Sequence, residues 1–286
     1  MLNIIISILM GIVEGITEWL PVSSTAHMMI LNRILPLAVS TDPARNEAFY
    51  QIYEVVIQLG AILAVILFFW KKIWPFGQSK RPLGKGILSY VKKDIFFLWV
   101  KILIACLPAA VVGILFDDVF DRLFYNPSCV AIALILVGIA FIAVEILIRG
   151  KMPEVNDLKG ITYKIALYIG LFQLIAAIFP GTSRSGATII GALLLGVARP
   201  AAVEFTFYLA IPVMAGASLL KIIKYGFAFK FLEILVLLTG FLSAFAVSVL
   251  VIRKLLNYVK THPFTVFGIY RIVLGYLILI LFAFVL

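Results

Sequence analysis

Six long apolar runs dominate the chain, at roughly 52–70, 95–116, 130–148, 203–223, 231–252 and 264–286. Each approaches the ~20 residues an α-helix needs to cross a bilayer core. Two further apolar regions, 2–35 and 161–197, are interrupted near their middle, at Pro21 to Thr25 and at Pro180 to Ser185. Each half is too short to span comfortably. Non-helical backbone at that depth is tolerated only where protein buries it or a wet cavity lines it. Each broken region is therefore expected to be a re-entrant helix pair. The expected fold class is an all-α polytopic membrane protein with six transmembrane helices and two re-entrant pairs.

Composition excludes the soluble alternatives. Of 286 residues, 64% are hydrophobic and 13% charged, where a soluble domain carries about a quarter charged. A net charge of +10 invites a nucleic-acid reading. The basic residues, however, sit in short loops between apolar runs, as the positive-inside rule expects, and no nucleic-acid partner is called for. Cys106 and Cys129 lie in apolar runs without metal-binding spacing and read as small packing residues. The opening residues lack the basic start of a signal peptide.

The order is broken pair, three spans, broken pair, three spans. Because three is odd, the second half is expected to be inverted, giving a single membrane domain over residues 1–286 with repeats at about 1–150 and 160–286. Gly11, Glu14 and Pro21 share the spacing of Gly170, Gln173 and Pro180, with Ser24 and Ser183 each three residues after its proline. Inverted repeats of this kind place a binding site where broken helices meet near the midplane. Seven Lys or Arg lie in 71–93, four in 149–164 and three in 253–260, whereas Asp117, Asp118 and Asp121 mark an acidic loop with one arginine. That alternation puts 71–93 in the cytoplasm and both termini outside. Lys221, Lys224 and Lys230 fall on the outer side and dissent.

The two breaks hold the chemistry. Glu14 and Glu18 are four apart, so a helix projects both carboxylates from one face. Pro21 ends that helix, and Ser23, Ser24 and Thr25 follow where they can cap the next, with His27 one turn inside. Spacing leaves open which of Ser23 and Ser24 is the cap. In the second break Pro180 and Gly181 stop a helix, Thr182 and Ser183 stand at the next cap, and Arg184 and Ser185 enter its first turn. A helix N-terminus offers unpaired N–H groups to an anion, phosphate in particular. Arg184 adds a planar fork of donors. Glu14, Glu18 and Arg184 sum to minus one, so a phosphate there implies a divalent cation, a proton or both. An ionised group at the bilayer centre costs roughly 2.5–3.5 kcal/mol, which argues for function at all three.

Other polar groups divide. Glu54 and Gln58 form an i, i+4 face on the first full span and are expected to support the site, as is Gln173. Arg199 and Glu204 flank a helix start and read as caps. Glu145 and Arg271 read as span-end residues that snorkel, and aromatic residues at run ends as an interfacial belt.

GIVEGITEWLPVSSTAH at 11–27 and PGTSRSGAT at 180–188 closely resemble the bacterial undecaprenyl-diphosphate phosphatase family of the bacitracin-resistance type. YEVVIQLGAILAV at 53–65 and VARPAAVEF at 197–205 extend the likeness along essentially the whole chain. The resemblance implies hydrolysis of the terminal phosphate of a C55 polyprenyl diphosphate in the bacterial cytoplasmic membrane. It also implies a site open to the outer side, a need for Mg²⁺ or Ca²⁺, and recycling of the carrier lipid for peptidoglycan synthesis. Carried over, Ser24 becomes the nucleophile and His27 the general acid/base or a rival nucleophile. Glu14 and Glu18 become metal-binding or base carboxylates. Arg184 becomes the phosphate clamp, with Ser23, Thr25, Thr182, Ser183 and Ser185 beside it.

The competing expectation is a transporter or flippase of an anionic polyprenyl lipid, which inverted repeats and a midplane site would also serve. Membrane lipids are expected partners either way, and self-association into a homo-oligomer is left open.

Overall fold

The computed structural model describes residues 1–78, 81–226 and 229–284, with backbone alone at 117, 118 and 121. Among these residues the chain is ten α-helices and one short 3₁₀ turn, with no strand. Six helices are long and apolar enough to cross a membrane: α3 (Pro43–Ile73), α4 (Lys93–Phe124), α5 (Pro127–Leu147), α8 (Arg199–Tyr225), α9 (Phe231–Tyr258) and α10 (Thr265–Phe284). The interrupted regions are short pairs: α1 (Leu2–Thr17) with α2 (Ser24–Ile34), and α6 (Tyr163–Ile178) with α7 (Arg184–Leu194). The chain is thus an all-α, multi-pass membrane protein.

Several boundaries differ from expectation for local reasons. Helix α3 starts nine residues before the apolar run at Ile52, because Asp42 caps it, accepting from the Ala44 N–H at 3.0 Å, and Pro43 sets its first turn. Helix α4 continues through Asp117, Asp118 and Asp121 to Phe124, so the expected acidic loop is helical backbone; those three side chains lie outside the described residues. The expected end of the last span at Leu286 also lies outside them, as does Lys80 in the basic loop.

Packing places α1 against α9 and α6 against α4, with α3 between α8 and α9 and α5 along α10. Glycines set two of these contacts. A Cβ on Gly15 would stand 2.7 Å from the Ala244 carbonyl oxygen, and α1 can lie this close to α9 only without one. Gly138 of α5 and Gly268 of α10 are reciprocal, each presenting its carbonyl oxygen 2.7 Å from where the other's Cβ would be. Lipid offers no hydrophobic drive between helices, and such small-residue contacts let dispersion replace it.

Candidate active site

The two breaks meet, and their backbone is unusual at one matching point. Ser23 (φ 72°) and Ser183 (φ 69°) are the positive-φ non-glycine residues among those described. Each is the N-cap of its short helix: Ser23 Oγ accepts from Ala26 N–H at 3.4 Å and Ser183 Oγ from Gly186 N–H at 3.2 Å. A non-glycine residue at positive φ costs of order 1–3 kcal/mol and persists only where its surroundings enforce it. This settles the cap that spacing left open. It also corrects the register, since Ser183 pairs structurally with Ser23 and Arg184 with Ser24.

Ser24, as the first residue of α2, aims its hydroxyl back across the break and donates to Glu18 Oε2 at 2.8 Å. Arg184, the first residue of α7, donates from Nη2 to Glu18 Oε1 at 3.0 Å and from Nη1 to the Thr206 carbonyl of α8 at 2.9 Å. Its Nε is buried without a partner. Ser185 Oγ reaches the Glu18 carbonyl oxygen at 3.4 Å and contacts Ser183 Oγ at 3.1 Å. Glu18 is thus the hub on which a hydroxyl from one break and a guanidinium from the other converge. Its own N–H continues the α1 ladder to the Glu14 carbonyl at 3.0 Å, so the two acids do share a helical face.

Glu14 is 1% exposed, with Glu18 and Glu54 as its carboxylate neighbours and its Oε1 buried without a hydrogen bond. An orphaned carboxylate oxygen beside a second carboxylate suits a hard cation, and Mg²⁺ in particular takes one or two carboxylates and completes its shell from substrate phosphate and water. No group of three or more His, Cys, Asp or Glu that could hold a metal exists among the described residues.

The remaining expected residues scatter. His27 makes no hydrogen bond to Ser24: its Nδ1–H donates to the Ser23 carbonyl at 2.7 Å, and Nε2 accepts from the Tyr270 hydroxyl at 2.6 Å. Glu54 accepts from the Tyr125 hydroxyl at 3.3 Å, while Gln58 is half-buried and makes no hydrogen bond among the described residues. Gln173 is buried with both amide atoms unpartnered. Thr182 is buried in the second break, and Thr25 sits in the first turn of α2 without a side-chain hydrogen bond among the described residues.

Arg271 overturns its reading as a snorkelling residue. It is 0% exposed and ties both breaks together, donating from Nη1 to Pro21 O at 3.1 Å and from Nη2 to Gly181 O and Thr182 O at 2.8 Å each. These carbonyls belong to non-helical backbone and have no ladder partner, which is why an arginine is buried there. The sequence held a signal for it: seven residues into the last apolar run is about 10 Å below the run's edge at 1.5 Å per residue, deeper than an ordinary span-end residue. Glu145 is likewise buried, not snorkelling, paired with Arg199 and accepting the Phe264 N–H at 2.9 Å. Neither Arg199 nor Glu204 caps α8, whose N-cap is Ala198. Glu204 instead accepts from Lys72 Nζ at 2.8 Å and the Tyr208 hydroxyl at 2.6 Å.

Residues 7–277 match the family model described as "Bacitracin resistance protein BacA". Among similar curated proteins, the "Undecaprenyl-diphosphatase" of Desulfitobacterium hafniense is 53% identical, over 97% of this chain and 95% of that one. "Undecaprenyl-diphosphatase 1" of Clostridium acetobutylicum is 53% identical over 98% of each chain, and an "Undecaprenyl-diphosphatase" of Enterococcus faecalis is 52% identical over 96% and 95%. With a family-model match over residues 7–277 and relatives about half identical along nearly its whole length, the chain belongs to the bacitracin resistance protein BacA family.

Proposed function

We infer that the protein is an undecaprenyl-diphosphatase, a membrane hydrolase that removes the terminal phosphate of a polyprenyl diphosphate and so returns the monophosphate carrier to cell-wall synthesis. The observation that carries this reading is the Ser24 hydroxyl hydrogen-bonded to a buried carboxylate that also holds Arg184. A carrier of anionic lipid needs donors to hold phosphate but no hydroxyl set on a base, so the Ser24–Glu18 bond favours hydrolysis over translocation.

Glu18 takes the Ser24 proton as Oγ attacks the terminal phosphorus. The phosphoanhydride P–O bond breaks, the polyprenyl monophosphate leaves with the electron pair and takes the proton from Glu18, and the phosphoryl group rests on Ser24, with the carboxylate restored. Water, deprotonated by the same carboxylate, then attacks phosphorus, and inorganic phosphate departs as Ser24 regains a proton. Arg184, through its unpartnered Nε and a fork that can turn from Glu18 to phosphate, holds the equatorial oxygens on which charge accumulates. The N–H groups that begin α2 and α7 would add donors for the same phosphate. Glu14 and Glu18 would hold a divalent cation, Mg²⁺ or Ca²⁺, which when bound neutralises phosphate charge. His27, held by Ser23 and Tyr270, orients the first turn of α2 and with it Ser24.

The same reading extends to the membrane. Each helix pair, α1–α2 and α6–α7, is a re-entrant hairpin, one entering from each face, and residues 1–150 and 160–286 are inverted repeats. The basic end carrying Lys71, Lys72, Arg149 and Lys151 faces the cytoplasm, and both termini face outward. On that outer side a cleft of about 800 Å³ runs from Arg33, Arg122 and Lys221 inward to Tyr50 and Glu54, beside Glu14. Lys221, which dissents from the positive-inside pattern, is then part of a basic approach for an anionic headgroup.

The test is phosphate release from detergent-solubilised undecaprenyl diphosphate and undecaprenyl monophosphate, with and without chelator. Chelator-sensitive release from the diphosphate alone is expected. No release from the diphosphate under any divalent cation would overturn the reading in favour of transport.

A further inference from the structure

At the end of the molecule away from the chain termini, a cleft of about 870 Å³ opens between the last turns of α3, the start of α8 and the last turns of α9. It shares no residue with the site at the breaks. One wall is apolar and outward-facing: Leu67, Phe68 and Trp70 are 56%, 43% and 44% exposed. Its rim carries four cations, Lys71, Lys72, Arg253 and Lys260, against one carboxylate, Glu204, for a net of +3. Glu204 is already engaged by Lys72 and Tyr208. Lys71 and Arg253 have no ion pair or hydrogen-bond partner among the described residues.

We propose that this cleft binds the headgroup of an anionic phospholipid, with one acyl chain lying along Leu67 and Phe68. Loop cations placed only by topology would be scattered and solvated. These converge from two spanning helices and the turn after α9 onto one concavity, beside an apolar wall in the spanning part of α3. A phosphodiester fits the cationic rim, the arginine fork giving it direction. The aromatic and aliphatic wall takes hydrocarbon, so lipid fits and free anion does not. Basic pockets between transmembrane helices are recognised sites for acidic lipid headgroups.

The position gives such a lipid leverage. It would bridge α3, α8 and α9. Helix α8 carries the Thr206 carbonyl that holds Arg184, and α9 is the helix on which α1 and its glutamates rest. Occupancy therefore braces the frame of the site without entering it.

The experiment uses the delipidated full chain in nonionic detergent, probed by native mass spectrometry and thermal melting. The probes are phosphatidylglycerol, phosphatidylcholine of the same chains, undecaprenyl monophosphate and inorganic phosphate. The wild type is expected to retain phosphatidylglycerol over phosphatidylcholine by roughly tenfold or more, as a cluster of membrane-surface cations dictates, and to melt higher with it. The Lys71→Gln/Arg253→Gln double variant should lose that preference, and the charge-keeping Lys71→Arg/Arg253→Lys variant should retain it. Both should release phosphate from undecaprenyl diphosphate in lipid-free detergent at the wild-type rate within a few-fold. Equal retention of the two phospholipids by the wild type, or an undiminished preference in the double variant, would overturn the proposal. So would stabilisation by inorganic phosphate matching that by phosphatidylglycerol, which would make the cleft a free-anion site. Preferential retention of undecaprenyl monophosphate, lost in the same variant, would overturn it in favour of a station for the carrier lipid.

Discussion

Glu18 has three distinct roles within one side chain: it accepts from the Ser24 hydroxyl, holds Arg184, and shares a helical face with Glu14. Replacing it with glutamine keeps volume and leaves an acceptor for Arg184 but removes the base. Glu18→Gln should therefore lower kcat by about 10²–10⁴ with the fold intact, as loss of a general base does; circular dichroism alongside phosphate release would check both halves. Arg271 makes the opposite kind of claim. Arg271→Ala would orphan the Pro21, Gly181 and Thr182 carbonyls inside the protein. At about 1–3 kcal/mol for each buried unsatisfied group, a loss of at least about 3 kcal/mol is expected in thermal or denaturant unfolding. A variant as stable as wild type would show that these breaks support themselves. Spacing on a helix gave Glu14 and Glu18 their shared face, and cap statistics put Ser24 and Arg184 at helix starts. Contacts at 166 residues' separation, such as Glu18 to Arg184, have no local signature, and Arg271, 250 residues from Pro21, reads as a snorkelling cation until its depth of about 10 Å in the last run is weighed.

At the scale of elements, apolar period and length placed all six long helices, while their ends followed caps and polar turns that hydropathy does not weigh. Asp42 with Pro43 extends α3, and α4 keeps its hydrogen-bond ladder through an acidic stretch. The breaks were legible as interruptions but not in register, because a positive-φ serine is invisible in sequence: any serine near a proline would look alike. That geometry makes a sharp prediction. Ser183→Ala keeps the Cβ at φ 69° and loses the cap to Gly186, whereas Ser183→Gly loses the cap but removes the backbone strain. The alanine variant should be less stable than the glycine variant by about 1 kcal/mol, read from thermal melts in the same detergent. The α1–α9 contact offers a second handle. Gly15→Val would push a Cβ and its two methyls into the Ala244 carbonyl and Val247, displacing α1 and its glutamates. Phosphate release should fall with it, although residue 15 itself touches no phosphate.

For the whole molecule, hydropathy and composition sufficed for the class, since nothing but a membrane interior solvates a chain this apolar. Which end faces which compartment rests on charge asymmetry. In a background free of Cys106 and Cys129, Thr41→Cys should react with a membrane-impermeant thiol reagent in intact cells. Lys151→Cys should react only after permeabilisation; the reverse pattern would invert the orientation and close the outer cleft to substrate. The site itself arises only when Glu18 at the end of α1 takes Ser24 from one break and Arg184 from the other, so its chemistry is a property of the assembled bundle. The most direct test of that chemistry is single-turnover phosphate release from undecaprenyl diphosphate by wild type, Ser24→Ala and His27→Ala at matched folding. The Ser24–Glu18 pairing predicts a loss of at least about a thousandfold in Ser24→Ala, as removal of a nucleophile gives, and a smaller loss in His27→Ala. Wild-type-like release from Ser24→Ala would contradict it.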